Sequence, residues 1–393
     1  MATIKLYDKD AYQTTFEAVV LSCKEGIFGK KEDTRKGYEI ILDQTCFFPE
    51  EGGQTPDKGN LGEAEVWDVQ IQKDNTIIHI VNEPIEEGIT ITGIIDWQHR
   101  FFNMQQHSGE HLFSGLVYKY FGYQNVGFHL SNQIVTMDFD GMLTQDELEE
   151  LEWKVNEAII ANVEIKTGYP SKEELAKLEY RSKKELDGAI RIVEIEGYDV
   201  CACCAPHVYR TGEIGMFKIQ SVQSYKGGVR ISFLCGFRAL DEYRKKSKII
   251  AELSAILTTN QEMLSENVAK LKTQTQNLKM QLGNAKQLLM ENKIDQIPAE
   301  QRDVVLFEAD LETPVMRNTV NKLMESHEGI CGIFLGSDKE GYNFIIGSKT
   351  IDCREIAKAL KEKLNARGGG STAMIQGSVV AKREELEQML HFE

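Results

Sequence analysis

From residue 1 to about 92 the chain alternates short β-rich runs with turn residues. FEAVVLSC, YEIILDQTCFF, AEVWDVQIQ and NTIIHIVN are separated by KEGIFGKKED, PEEGGQTPDKGN and EPIEEG. Branched and aromatic residues in short runs at this spacing predict a small antiparallel barrel or sandwich. From Arg100 the period changes, and Phe102, Leu112, Phe113, Leu116, Val117 and Phe121 fall near helical spacing, predicting a helix over 101–121. A second helix is expected from Leu143 to Asn162, with Thr144 and Gln145 at its start and an acidic first turn. RIVEI, MFKIQSV and VRISFL return to the strand pattern, so residues 93–239 read as α+β.

Beyond Ala239 the chain is nearly free of Gly and Pro, and Leu257, Leu264, Leu271 and Leu278 recur every seven residues, continued by Ala285. Val268, Leu282 and Leu289 sit four places after members of that series. Residues 240–297 therefore predict a long amphipathic helix or coiled coil, acting as a spacer or a dimer seam and closed by Pro298. Its charge is mildly basic. Residues 298–393 alternate DVVLFEAD, GICGIFLG and YNFIIGS with VMRNTVNKLMES, CREIAKALKEKLNA and KREELEQMLHF, the pattern of a compact α/β module. Between its last two helices lies ARGGGSTAMIQGS. Gly368, Gly369 and Gly370 there predict a loop, either flexible or shaped for close backbone approach to a ligand such as phosphate.

The length of 393 residues suggests two or three domains, because single cores seldom grow past roughly 250 to 300 residues. With 41% apolar and 27% charged residues the chain is an ordinary globular one. No run of about 18 apolar residues predicts a membrane span, and MATIKLYDKDAYQ has no apolar stretch or cleavage site, so a cytoplasmic protein is expected. The formal net charge of −16 excludes a nucleic-acid binder that works by bulk charge; any RNA contact needs local patches. Of eight cysteines, Cys201, Cys203 and Cys204 crowd together, which in a reducing compartment points to metal or reactivity rather than cross-linking.

His107 and His111 form H-S-G-E-H inside the first predicted helix, and a spacing of four puts both imidazoles on one face. Cys203-Cys204-Ala205-Pro206-His207 supplies a thiolate and another imidazole, again four apart. Two such pairs give the four donors of a tetrahedral zinc site, although Cys201 and Cys204 form a C-x-x-C pair that competes on spacing alone. A second constellation is FFPEEGGQ over 47–54, followed by Asp57 and Gly59. Gly52 and Gly53 after the acidic pair suggest a turn where backbone N–H groups or Gln54 approach a substrate; a plain hairpin loop is the alternative.

Taken in order, Asp43-Gln44-Thr45, FFPEEGGQ, DWQHRFFNMQQHSGEH, CCAPHVYRTGEIG and GGVRISFLCGFRAL resemble the editing half of alanyl-tRNA synthetases. Most of all they resemble the free-standing alanyl-tRNA editing proteins, the AlaX group, to about residue 240. The helical segment and the ARGGGSTAMIQGS module resemble the synthetase C-terminal domain, as in the long form of the group. The resemblance implies one Zn2+ per chain on His107, His111, Cys203 and His207, with C-C-A-P-H in the place of C-G-G-T-H. It implies a catalytic neighbourhood of Gln54 and Thr45, substrate or tRNA contacts at Gly52, Gly53, Gly368, Gly369 and Gly370, and dimerisation through the C-terminal region; Glu110, next to a metal-ligand candidate on the helix, is read from its position as a catalytic general base, with a solvated helix residue as the alternative. The partner that the resemblance implies is tRNA(Ala) mischarged with serine or glycine. No stretch upstream of the editing region could hold an aminoacylation core, so tRNA charging is not expected. This sequence departs from the family at Glu110, where the synthetases have threonine, and at Cys204-Ala205-Pro206, which replaces Gly-Gly-Thr. Two rivals follow: a zinc-stabilised tRNA-binding protein without hydrolysis, and a deacylase of another mischarged tRNA.

Overall fold

The computed structural model describes residues 2–30, 33–131, 134–182 and 189–390. It is a mixed α+β protein with several sheets, divided into two compact units, residues 1–249 and 250–393.

In the first unit, β1 (Thr15–Lys30), β2 (Asp33–Leu42), β3 (Gly59–Leu61), β4 (Ala64–Ile71), β5 (Ile77–Val81) and β6 (Thr90–Ile95) close a barrel in the order β1-β2-β5-β4-β3-β6. Phe16, Ile40, Leu42, Phe47, Phe48, Val66, Val69 and Val81 fill it. β1 runs through the segment KEGIFGK, expected to be a turn, and pairs Gly26 with Gly37 and Phe28 with Arg35. The ribbon leaves the core there, with Ile27 exposed, so backbone pairing continues without the alternation that marks a half-buried strand. Lys31 and Glu32, where the sequence also placed a turn, lie outside the described residues.

Asp96 caps helix α1 (Trp97–Phe121) by accepting from the His99 amide, and Gly122, at φ 72°, ends it. Every residue of α1 from Asn103 to Val117 is buried, which is why the helix shows a weak apolar stripe and why its polar residues need partners. One flank is the sheet β12-β13-β8-β7, made of β7 (Asn125–Leu130), β8 (Val135–Phe139), β12 (Phe217–Tyr225) and β13 (Gly228–Cys235). Gln106 binds the Cys235 backbone through both amide atoms. β7 was not anticipated because its pattern is inverted: Asn125 points inward and Val126 outward. Helix α2 (Gln145–Ile160) opens with a reciprocal Thr144–Glu147 capping box, and Leu148, Leu151, Val155, Ala158 and Ile159 form its buried face. A three-stranded sheet, β9 (Ile165–Gly168), β10 (Ile192–Ile195) and β11 (Asp199–Ala202), carries the Cys-Cys-Ala-Pro-His run off the end of β11.

The predicted continuous helix is interrupted. α3 (Gly236–Ile256) and α4 (Leu264–Asp295) are separated at 257–263, where Thr258 adopts φ 50° and Asn260 Oδ1 accepts from the Met263 amide at 2.9 Å. Threonine and asparagine side chains compete with helical backbone bonds, and the leucine repeat hides that stop signal. On α4, Val268, Leu271, Leu278, Leu282 and Leu289 are exposed, while Met290 and Ile294 are buried against α5 (Thr313–Ser326).

The second unit's sheet runs β14-β15-β16-β18-β17, comprising β14 (Val304–Glu308), β15 (Cys331–Ser337), β16 (Gly341–Gly347), β17 (Arg367–Gly370) and β18 (Met374–Val379). Helices α6 (Cys353–Leu364) and α7 (Arg383–Leu390) complete it; His391 and Phe392, the end of the predicted last helix, fall outside the described residues. The three glycines form edge strand β17 rather than a loop. A Cβ on Gly368 would stand 2.3 Å from the Gln376 carbonyl oxygen, so the close backbone approach there is to the neighbouring strand.

Candidate metal centre

Two elements and one loop bring the donors together. α1 presents His107 and His111 one turn apart, their ring centroids 5.5 Å from each other. The loop after β11 presents Cys203 and His207, and the His207 ring lies 4.9 Å from His107 and 4.8 Å from His111. Cys203 Sγ stands 3.5 Å from both His107 Nε2 and His207 Nε2, and one donor atom from each of the four residues lies within 4.8 Å of the others. Arg191 fixes the loop by donating to the carbonyls of Cys203 and Ala205 at 3.1 and 2.9 Å.

Each imidazole has its other nitrogen engaged. His107 Nδ1 donates to Gln54 Oε1 at 2.8 Å, His111 Nδ1 to Asp199 Oδ2 at 2.8 Å, and His207 Nδ1 to Ser108 Oγ at 3.1 Å. These bonds leave the Nε2 lone pairs for the shared centre and orient the rings, the arrangement that accompanies metal-binding histidines. Burial alone would raise the Cys203 thiol, but the surrounding imidazoles hold it well below its ordinary value, as a thiolate donor requires. Burial pushes His207 down to about 3 and so keeps it neutral. The donor set, three imidazoles and one thiolate with paired outer nitrogens, fits zinc.

The competing cysteines face elsewhere. Burial raises Cys201 to about 11, and it groups with His111 and Asp199. Asp199 is already held by Arg181 at 2.7 and 2.9 Å. Cys204, raised by burial and by the neighbouring thiolate, lies toward Gly52 and Glu51.

The turn of Gly52 and Gly53 sits at the cluster's edge. Gly53 has φ 84°, and a Cβ there would stand 2.3 Å from the Phe128 carbonyl oxygen, so only glycine lets the loop dock on β7. Leu130 N then donates to Gly53 O at 2.7 Å and Thr55 N to Leu130 O at 3.2 Å. Asp57 anchors the loop's far end: Arg100 donates to it from Nε at 2.9 Å and also through its terminal nitrogen, while the Phe48 amide donates to it at 2.6 Å. Glu110 is only 1% exposed. Its Oε1 accepts from Ser114 at 2.7 Å and from Asn125, and its Oε2 stands 3.9 Å from His111 Nε2. Thr45 belongs to a different environment, bonding His79 Nε2 at 2.8 Å and the Phe47 amide at 3.0 Å among the barrel core residues. Sequence reasoning missed Asp199, Ser108, Asn125, Arg181 and Arg191; of these, Ser108, inside the H-S-G-E-H run, and Asp199, four residues before Cys203, stood close enough in sequence to give a signal.

Residues 3–99 match the family described as tRNA synthetases class II (A), and residues 190–232 match the threonyl and alanyl tRNA synthetase second additional domain. The alanyl-tRNA editing protein Aarsd1 of Danio rerio is 28% identical over 97% of this chain and 96% of its own. The alanyl-tRNA editing protein AlaX-L of Pyrococcus horikoshii is likewise 28% identical, over 97% and 96%. Alanine–tRNA ligase of Ignicoccus hospitalis is 28% identical over 98% of this chain, which spans only 42% of that enzyme. No helix among the described residues is long and apolar enough to cross a membrane. Along nearly its whole length the chain is thus a homologue of the free-standing alanyl-tRNA editing proteins.

Proposed function

We propose that this chain is a zinc-dependent trans-editing hydrolase. It cleaves the ester joining a wrong amino acid to the terminal adenosine of tRNA(Ala), with the seryl ester as main substrate and the glycyl ester as a second, and it does not charge tRNA. The need for such an enzyme follows from the limits of binding: an alanine pocket rejects glycine by one missing methyl and discriminates weakly against a small added hydroxyl. The observation that carries the reading is the cluster of His107, His111, Cys203 and His207, each imidazole held by an outer partner, in a homologue of editing proteins.

Those four residues hold one Zn2+ per chain. Zinc held there would supply a positive charge that helps to orient the ester. The remaining work falls to the chain itself. Glu110, whose Oε1 accepts from Ser114 and Asn125 and whose Oε2 stands 3.9 Å from His111 Nε2, takes the proton of the attacking water. The Gly52–Gly53 turn brings its backbone to the aminoacyl end. Thr45, enclosed beside His79, serves by shaping the barrel rather than by touching substrate.

We assign residues 1–92 as the barrel subdomain, 93–239 as the editing core, 240–297 as the helical segment and 298–393 as the module that binds tRNA and pairs two copies in the cytoplasm. Exposed leucines on α4 support the pairing, and the strand of Gly368, Gly369 and Gly370 offers bare backbone at a sheet edge to RNA. Zinc analysis of purified protein tests the donor set. The expected result is one metal per chain in the wild type and its loss in Cys203→Ser; retention in that variant removes the assignment.

A further inference from the structure

The strand that leads into the cysteine–histidine loop is joined by one residue from outside its sheet. Arg181 N donates to Val200 O at 2.8 Å and Ala202 N donates to Arg181 O at 2.9 Å, so the backbone of residue 181 is pinned to β11 on both sides of Cys201. Its side chain is enclosed. Nε donates to Asp199 Oδ1 at 2.7 Å and a terminal nitrogen donates to Asp199 Oδ2 at 2.9 Å, a two-bond fork that fixes the plane of the carboxylate. Asp199 Oδ2 also accepts from His111 Nδ1 at 2.8 Å. A guanidinium, a carboxylate and an imidazole thus stand in line behind one metal donor, at 8%, 6% and 2% exposure. Glu110 lies within electrostatic reach of the same cation. Burying a carboxylate without a cation is strongly unfavourable, and a carboxylate free to turn does not hold an imidazole at one angle. Lysine would supply the charge without the fork.

We propose that Arg181 is a positioning residue of the metal centre: acting through Asp199, it sets the ring angle at which His111 Nε2 meets His107, Cys203 and His207. The proposal rests on the reading of those four residues as a zinc site. The cation does its work at one remove, because partners of a metal-bound histidine orient the ring and tune how well it donates. Beside the guanidinium lies a cavity of about 700 Å³, lined by Gly115, Tyr118, Gln124 and Tyr180 together with Arg181 and Asp199. It gives a small cation a route to the carboxylate.

Arg181→Ala widens that cavity toward Asp199, and Arg181→Lys keeps the charge with a single point donor in place of the fork. Each purified variant is stripped of metal and titrated with zinc, and the visible spectrum of its cobalt(II) form reports donor geometry without any turnover. Zinc affinity should fall by about 10- to 100-fold in Arg181→Ala and by less in Arg181→Lys, with a changed cobalt spectrum in both. Guanidinium chloride, far below the concentrations that unfold the protein, should restore affinity and spectrum in Arg181→Ala, whereas ammonium chloride at equal ionic strength should not. Wild-type zinc affinity and cobalt spectrum in Arg181→Ala, or a loss that guanidinium leaves unchanged, overturns the proposal. If the alanine variant does not fold, Arg181→Lys decides, and wild-type values there overturn it. A wild type that takes up no zinc overturns the reading beneath it as well, while a zinc-binding wild type whose variants match it overturns the proposal alone.

Discussion

Glu110 shows how a residue's surroundings decide its use. A carboxylate in the middle of a helix is ordinarily solvated, but here α1 is buried on every face, and Ser114 and Asn125 meet Glu110 Oε1. Replacement by glutamine keeps the shape and a hydrogen-bond acceptor but removes the base. Glu110→Gln should lower kcat for the seryl ester by about 10²–10⁴ while zinc content stays at one per chain; an unchanged rate and pH profile would remove Glu110 from the chemistry. The four metal donors were legible because two pairs at a spacing of four are a local signal. The pairing around them was not: Asp199 reaches His111, and Gln54 reaches His107, only through tertiary packing.

At the scale of elements, the barrel depends on an imidazole kept uncharged. Burial pushes His79 down to about 4 from an ordinary 6.5, while the ring bonds Thr45 Oγ1 and Ile40 O. Below pH 6.5 the unfolded chain binds a proton that the folded barrel refuses until about pH 4, so stability falls as pH drops through that window and levels off beneath it. The loss attributable to His79 is on the order of 3 kcal/mol. Urea midpoints at pH 7 and pH 4.5 should differ less in His79→Gln than in the wild type; equal differences would assign the pH dependence elsewhere. The loop-to-helix joint rests on Arg100, which is fully enclosed with Asp57. Arg100→Met leaves that carboxylate buried without its cation and should cost about 3–5 kcal/mol in denaturant unfolding. Strand and helix types were largely readable from period, as α2 shows. The misses share a cause: at the tip of β1, in β7 and at the break between α3 and α4, backbone pairing or side-chain competition outweighed the hydrophobic pattern.

For the molecule as a whole, the division near residue 249 separates the donor cluster from the leucine-lined helix α4 and the C-terminal sheet. A net charge of −16 works against RNA binding by bulk charge, so the proposed tRNA contacts require local surfaces. A chain ending after α3 should therefore lose tRNA affinity by at least tenfold while keeping most of its hydrolytic rate at saturating substrate; equal losses in both would mean that the second unit is needed to fold the first. The measurement that bears most directly on the central claim is deacylation of Ser-tRNA(Ala), Gly-tRNA(Ala) and Ala-tRNA(Ala) by the purified protein, before and after chelation of its metal. Rapid loss of the seryl ester that disappears on chelation and returns with zinc, with the alanyl ester spared, is the predicted result. Folded, zinc-replete protein that leaves all three esters intact would contradict it.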